Sequence, residues 1–312
     1  MAAFIGPEGP TCHTAAMIAG SKNRAMISYK CSDAKVSDKA TYPTFTRMEP
    51  PDTQITNSVL SLLEHYQWKK FIIICQKTEN AQFENLGMYH ISHSASKYNF
   101  YLFTAKHFKD QAGKKGFTLN DNEIHYIFEE HQKENRNNNR DILAKTKDRT
   151  RIYVFVGEPK YLVKFMNQMR VEQMFAEGKY MVIYLDQEEL TYNDRGHRLW
   201  LQEAETEEFC PLQNPNNDHD PVLKQWKSLI VVAGSTYKDK DKDKDKEPFK
   251  DAVRKYNTKP PFNFPSPPFS ILDIGPIYVP MYAAHLYDSV MLYATSLNGL
   301  ITNTSGSANV YR

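Results

Sequence analysis

Thr11 and Cys12 stand where the turn Gly6-Pro7-Glu8-Gly9-Pro10 hands an apolar strand over to a helix. Free backbone N–H groups and the helix dipole favour an anion or polar ligand at such a place. The same residues also read as simple turn punctuation. His90 and His93, three apart on an expected helix, are metal-ligand types, but no third ligand falls in register with them. His125 and His131 fare no better, so no metal site is assigned. The pair Glu188-Glu189 and the cluster Glu203, Glu205, Glu207 and Glu208 carry the groups of acid–base catalysis. They lack the apolar neighbours that raise a carboxyl pKa and read as solvated. There is no GxSxG elbow, HExxH pair, Walker loop or GxGxxG fingerprint, which argues against an enzyme.

Four cysteines, Cys12, Cys31, Cys75 and Cys210, permit disulfides without demanding them. Cys12 and Cys31 follow successive strands of one βαβ unit and fall at the same edge of a parallel sheet. Their Cα atoms can there approach to about 5–6 Å, which favours a bridge. Cys75 ends the apolar run Phe71-Ile72-Ile73-Ile74 and reads as a buried thiol. Cys210 has no obvious partner, and without a CxxC pair a structural zinc is not expected. Asn303-Thr304-Ser305 is a glycosylation sequon suited to an exposed loop, with Asn303 as the acceptor.

The elements that position these groups alternate between strand and helix. Phe4 to Ser32 reads as strand, turn, helix and strand. Pro50-Pro51 then stop the chain, and Asp52 or Thr53 caps a helix in which Ile55, Val59, Leu62, Leu63 and Tyr66 recur at helical spacing. This helix is expected to pack on the first sheet. Phe71 to Cys75 suits a central parallel strand, with the crossing into a second lobe placed there. Beyond it come a helix over 83–98, a strand over 100–103, a strand over 151–156, a helix over 161–175 and a strand over 180–185. Leu162, Phe165, Met166 and Met169 share one face of that last helix and read as core. A strand over 228–233, a helix over 248–256 and a long helix over 276–297 complete the pattern. The polar runs 130–140 and 238–247 read as exposed loops without function.

At 312 residues and 41% hydrophobic content the chain can bury two α/β cores. Its 39 basic and 37 acidic residues leave no large single-sign field, so nucleic acid is not an expected partner. The 19 tyrosines and 17 phenylalanines suggest recognition as well as core. No uninterrupted apolar stretch of about eighteen residues exists to cross a membrane. Met1 runs straight into Ala2-Ala3-Phe4-Ile5, which reads as a buried strand and not as a signal peptide, so a start inside the domain is expected. The resulting sheet edge and apolar faces would favour association.

Several segments together resemble the extracellular ligand-binding region of receptor-type (membrane) guanylate cyclases of the natriuretic-peptide-receptor-like (ANF receptor) family, its invertebrate branch in particular. They are GPEGPTC, AMISYKCSD, TYPTFTRMEPPDTQ, HYQWKKFIII, RTRIYVFVGEPKYLVKFM, EGKYMVIYLD, KPPFNF and YAAHLYDSVMLYA, in family order. Segments 76–140 and 190–247 depart from it. The resemblance implies a periplasmic-binding-protein-like type I α/β fold, two Rossmann-like lobes joined by a hinge. Lobe one would comprise 1–67 and 270–312, N-terminally truncated, and lobe two 68–269. It further implies an extracellular ligand of unidentified chemistry, a peptide being one option, a homodimer, and a place outside the plasma membrane on a full-length receptor that makes cGMP from GTP. No cofactor is implied beyond a chloride ion, held by natriuretic-peptide receptors at the turn matching Gly9-Pro10-Thr11-Cys12. Part of that site would lie upstream, so it is expected to be incomplete. In those receptors the matching cysteine pairs with an upstream one, a rival to the Cys12–Cys31 bridge.

In such lobes ligands sit beyond the carboxyl ends of the strands, which face each other across a cleft. The cleft candidates are Thr11, Cys12, His13, Tyr29 and Lys30 from lobe one, with Gln76, Gly157, Glu158, Asp186 and Gln187 from lobe two. Turn formation, capping or solvent exposure explains each as readily. The rivals to a cyclase receptor are a clearance, decoy or glutamate-type receptor ectodomain of the same fold, and an α/β nucleotide-using enzyme.

Overall fold

The computed structural model describes residues 3–7, 12–77, 93–128, 138–187, 225–233, 248–257, 259–260 and 281–304. The chain builds two parallel sheets. The first holds β1 (Ala3–Ile5), β2 (Ala25–Ser28) and β3 (Phe45–Arg47) in that order. The second holds β4 (Lys70–Lys77), β5 (Thr118–Phe128), β6 (Ile152–Val156), β7 (Met181–Asp186) and β8 (Leu229–Ala233) in the order β5-β4-β6-β7-β8.

Burial on both faces explains the unbroken apolar runs of β4, β6 and β7. Alternate residues enter two separate cores. Phe71, Ile73, Val154, Val156, Ile183 and Leu185 face one way, and Ile72, Ile74, Tyr153, Phe155, Val182 and Tyr184 the other. The first face is covered by α2 (Asp52–His65) and α3 (His93–Lys114), the second by α4 (Asn138–Thr146) and α5 (Pro159–Val171). The α5 face Leu162, Phe165, Met166 and Met169 is fully buried, as its spacing requires.

The first sheet packs on α1 (Cys12–Ser21), whose Ala16 and Ala19 allow close approach to Met26 and Phe45. α6 (Pro248–Asn257) and α7 (Met281–Thr304) follow late in the chain, and α7 lies against β1 and β2. Among the described residues no helix is long and apolar enough to cross a membrane.

Four sequence expectations are corrected here. The helix after Pro50-Pro51 packs on the second sheet, because Thr56, Val59, Leu60 and Leu63 form one stripe against Phe71 and Ile73. Its N-cap is Pro51, which makes no side-chain cap bond, so neither Asp52 nor Thr53 caps it. Residues 100–103 are not a strand but part of α3. Tyr101, Ala105, Phe108 and Ala112 recur at helical spacing and are all buried. β1 is not a buried strand: it pairs with β2 alone among the described strands, and Phe4 and Ile5 are 36% and 39% exposed.

Three elements were not foreseen, β3, β5 and α4, and the last takes in residues 138–140 of a run expected to be loop. Residues 130–137, 238–247, His90, His131, Cys210 and the glutamates between 188 and 208 lie outside the described residues. Asn303 falls in the last turn of α7 and not in a loop.

Candidate functional site

The carboxyl ends of both sheets and the start of α7 meet in a polar cluster. Ordered by the chain, its parts are Lys30 after β2, Arg47 and Glu49 at the end of β3, and Asp52 opening α2. Thr104 on α3, Gln187 after β7 and Tyr282 on the first turn of α7 complete it. The Tyr282 hydroxyl is 3.3 Å from Glu49 Oε1 and 3.3 Å from the Gln187 carbonyl oxygen. Its single proton serves one acceptor at a time. Gln187 in turn donates from Nε2 to Thr104 Oγ1 at 2.6 Å. The Lys30 Nζ sits 4.3 Å from the centre of the Tyr282 ring, a cation–π contact. One tyrosine therefore touches groups that follow strands of each sheet.

Two carboxyl groups in this cluster are buried, Glu49 at 6% exposure and Asp52 at 7%. Burial, reinforced by the neighbouring Asp52, pushes the Glu49 carboxyl up to about 8, against the opposing pull of Lys30, Tyr282 and Arg47. Burial likewise pushes Asp52 up to about 7, with Asp33 adding to it and Ser32, Arg47 and Thr104 opposing. Glu49 Oε2 has no hydrogen-bond partner among the described residues. Arg47 spends its guanidinium on the loop below, donating to the carbonyls of Cys31 at 3.2 Å and Asp33 at 2.8 Å. Burial also lowers the pKa of His285, one turn beyond Tyr282, against a bond to the Tyr29 backbone.

The residues singled out in the sequence fall into three groups. Lys30 and Gln187 are brought together through Tyr282, and Tyr29 lies against His285. Gln76, Gly157 and Glu158 form a structural knot instead. Gln76 is fully buried and accepts at Oε1 from the Glu158 backbone N–H at 2.7 Å, while Tyr184 donates to the Gly157 carbonyl at 2.9 Å. A side chain at Gly157 would meet Gln76 Cβ at 2.8 Å, so glycine is what lets β4 and β6 end side by side. Asp186 is likewise buried at the end of β7.

Cys12, Cys31 and His13 form the third group. Cys12 and Cys31 are joined in a disulfide with Cα atoms 6.0 Å apart. His13 Nδ1 is engaged with Asp33 Oδ2 at 2.9 Å on the same loop. Gly9 and Thr11 of the anion turn lie outside the described residues. Cys75 is buried in β4, its Sγ donating to the Gln76 carbonyl at 3.3 Å.

Sequence reasoning missed Glu49, Asp52, Thr104 and Tyr282. The signal for the first two was the pair of acids flanking Pro50-Pro51, read only as a stop and a cap. For Tyr282 and Thr104 no local pattern exists, since their meaning comes from positions 233 and 83 residues away.

The carboxyl ends of two parallel sheets and the start of a late helix thus share one polar cluster. A family model described as the receptor family ligand binding region matches residues 1–311. The chain belongs to this family. Its fold is accordingly the type I periplasmic-binding-protein-like α/β architecture with Rossmann-like lobes.

The receptor-type guanylate cyclase Gyc76C of Drosophila melanogaster is 33% identical over 307 residues, which is 96% of this chain and 18% of that protein. Guanylate cyclase 32E of the same organism is 29% identical over 96% of the chain and 20% of its own length. The speract receptor of Strongylocentrotus purpuratus is 26% identical over 74% of the chain and 20% of its own length. The chain thus spans about a fifth of these curated relatives. It is a receptor ligand-binding region, similar throughout to the corresponding part of receptor guanylate cyclases.

Proposed function

We propose that this ligand-binding region is the extracellular sensor of a receptor guanylate cyclase, in which ligand binding controls cGMP synthesis by a cytoplasmic domain of the full-length protein. The observation that carries the reading is the Glu49–Tyr282–Gln187–Thr104 chain of contacts across the strand ends of both sheets. A ligand entering between the sheets must compete with or complete these contacts, which converts binding into a change of relative pose. Lys30, Tyr29 and Gln187 are the candidates to meet the ligand, with Tyr282 and Glu49 at the floor. Gln76, Gly157 and Glu158 hold the strand ends in place. The Cys12–Cys31 disulfide suits an oxidising, extracellular setting. Lobe one is proposed as the first sheet with α1 and α7, and lobe two as the second sheet with α2 to α5. The receptor is proposed to act as a homodimer.

Reading the transcript beyond Arg312 tests the assignment. A single membrane span followed by kinase-like and cyclase domains is the expected continuation. Seven hydrophobic spans, or a stop codon at that point, would contradict it.

A further inference from the structure

At the opposite end of the second sheet, where the strands begin, lies a cavity of about 920 Å³. Its lining carries Lys69, Lys70, Lys147, Arg149, Arg151 and Lys179 against a single acid, Asp148. In a chain with 39 basic and 37 acidic residues this is a marked local excess of positive charge. Part of it has a structural use: Lys147 pairs with Glu172 at 3.6 Å, Lys179 pairs with Glu177, and Lys69 stands over the Phe117 ring. Lys147 directly follows Thr146, the last residue of α4, where a cation suits the helix dipole. Lys70 and Arg151 make no ion pair among the described residues, though Arg151 lies near enough to Glu177 to help lower its pKa, and both are exposed, as are Lys69, Arg149 and Lys179. Counting Glu172 and Glu177 with Asp148, six cations still face three acids.

The cations come from the starts of β4, β6 and β7, which are neighbours in the sheet. Adjacent strands lie about 4.8 Å apart, so the charges spread across roughly 10 Å. That spread matches several anionic groups along a chain better than one phosphate. Two aromatic side chains border the same cavity, Trp68 and Tyr180, both part-buried, with Trp68 stacked on Tyr66 at 4.9 Å. Aromatic faces beside cations suit sugar rings that carry anionic substituents. The Cys12–Cys31 disulfide marks an oxidising compartment, where flexible polyanions are acidic glycans and not nucleic acids.

We propose that this groove is a docking site for a sulfated polysaccharide, separate from the cleft by the length of the strands and independent of which ligand the cleft takes. Sulfates contact Lys70, Arg151 and their neighbours, and a sugar ring lies on Trp68. Binding is electrostatic in large part and weakens with salt.

Heparin immobilised on a biosensor, with its desulfated form as control, tests the assignment on the 312-residue chain. The chain should bind heparin at physiological salt and ignore the desulfated form. Lys70→Ala with Arg151→Ala should weaken binding about tenfold with no change in melting temperature, as expected for two exposed cations. Trp68→Ala should weaken it further. Lys22→Ala with Arg24→Ala, two exposed cations on the first sheet's side, should leave it unchanged. Failure of the unaltered chain to bind, equal weakening by the Lys22/Arg24 pair, or single-stranded DNA binding as tightly as heparin would each overturn the proposal.

Discussion

Glu49 and Asp52 are acids held where charge is unwelcome, and this gives the protein a stability profile opposite to that of paired surface carboxylates. Their folded pKa values, about 8 and about 7, lie above the ordinary 4.5 and 3.8. Below the ordinary values both states are protonated and the two groups add nothing. As pH rises through the window the unfolded chain ionises while the folded one does not, so stability is lost. Each group contributes a slope of about 1.4 kcal/mol per pH unit while this lasts. The melting temperature should therefore fall from about pH 5 to about pH 8, and Glu49→Gln should flatten part of that fall. A flat or rising wild-type profile, or an unchanged slope in the variant, would show that Glu49 is ionised in the folded state. At this scale the sequence was least informative. Lys30, Gln187 and the Cys12–Cys31 pair could be placed because they follow strands, but Tyr282 acquires its role only when α7 returns to the first sheet. Gln76 and Gly157 sit where strand ends predict ligand contacts, yet Gln76 Oε1 accepts from the Glu158 backbone N–H and the Gly157 carbonyl accepts from Tyr184.

The inner strands β4, β6 and β7 of the second sheet were legible because burial on both faces leaves an apolar run with no polar interruption, as in Ile152-Tyr153-Val154-Phe155-Val156. Within α3 the same information is hidden. Phe100 to Phe103 is a short apolar run that fits either a strand or a helix, and only Ala105, Phe108 and Ala112 downstream decide for the helix. β5 escaped because Asn120, Asp121, Asn122 and Glu123 make its first half polar, which a strand at the sheet edge tolerates. For α2 the apolar stripe was clear but its partner was not, since amphipathicity says that a face is buried and not against which sheet. Leu63→Ala tests the observed placement, with a cost of about 2–5 kcal/mol expected for a buried leucine. Hydrogen exchange should rise at β4 amides and stay unchanged at β2. The reverse pattern would return the helix to the first sheet.

Over the whole molecule, α7 ties the end of the chain to its beginning and leaves Leu286, Val290 and Met291 exposed on its outer side. Exposed apolar side chains in such a row favour association, in keeping with the proposed homodimer. Sedimentation at micromolar concentration should give a dimer that Val290→Asp weakens, and a monomer at all concentrations would remove the homodimer from the account. The two-sheet architecture was readable from the alternation of elements, whereas the contact between the sheets was not, because its groups lie far apart in sequence.

The central claim is that the Tyr282 contacts set the pose that governs cyclase output. Its most direct test is cGMP produced by cells expressing the full-length receptor with Tyr282 or with Tyr282→Phe at matched surface levels. The account predicts cGMP synthesis by the wild type and a change of about fivefold or more in the variant, the size of a typical coupling between sites. No cGMP above untransfected cells, or identical output from both receptors, would contradict it.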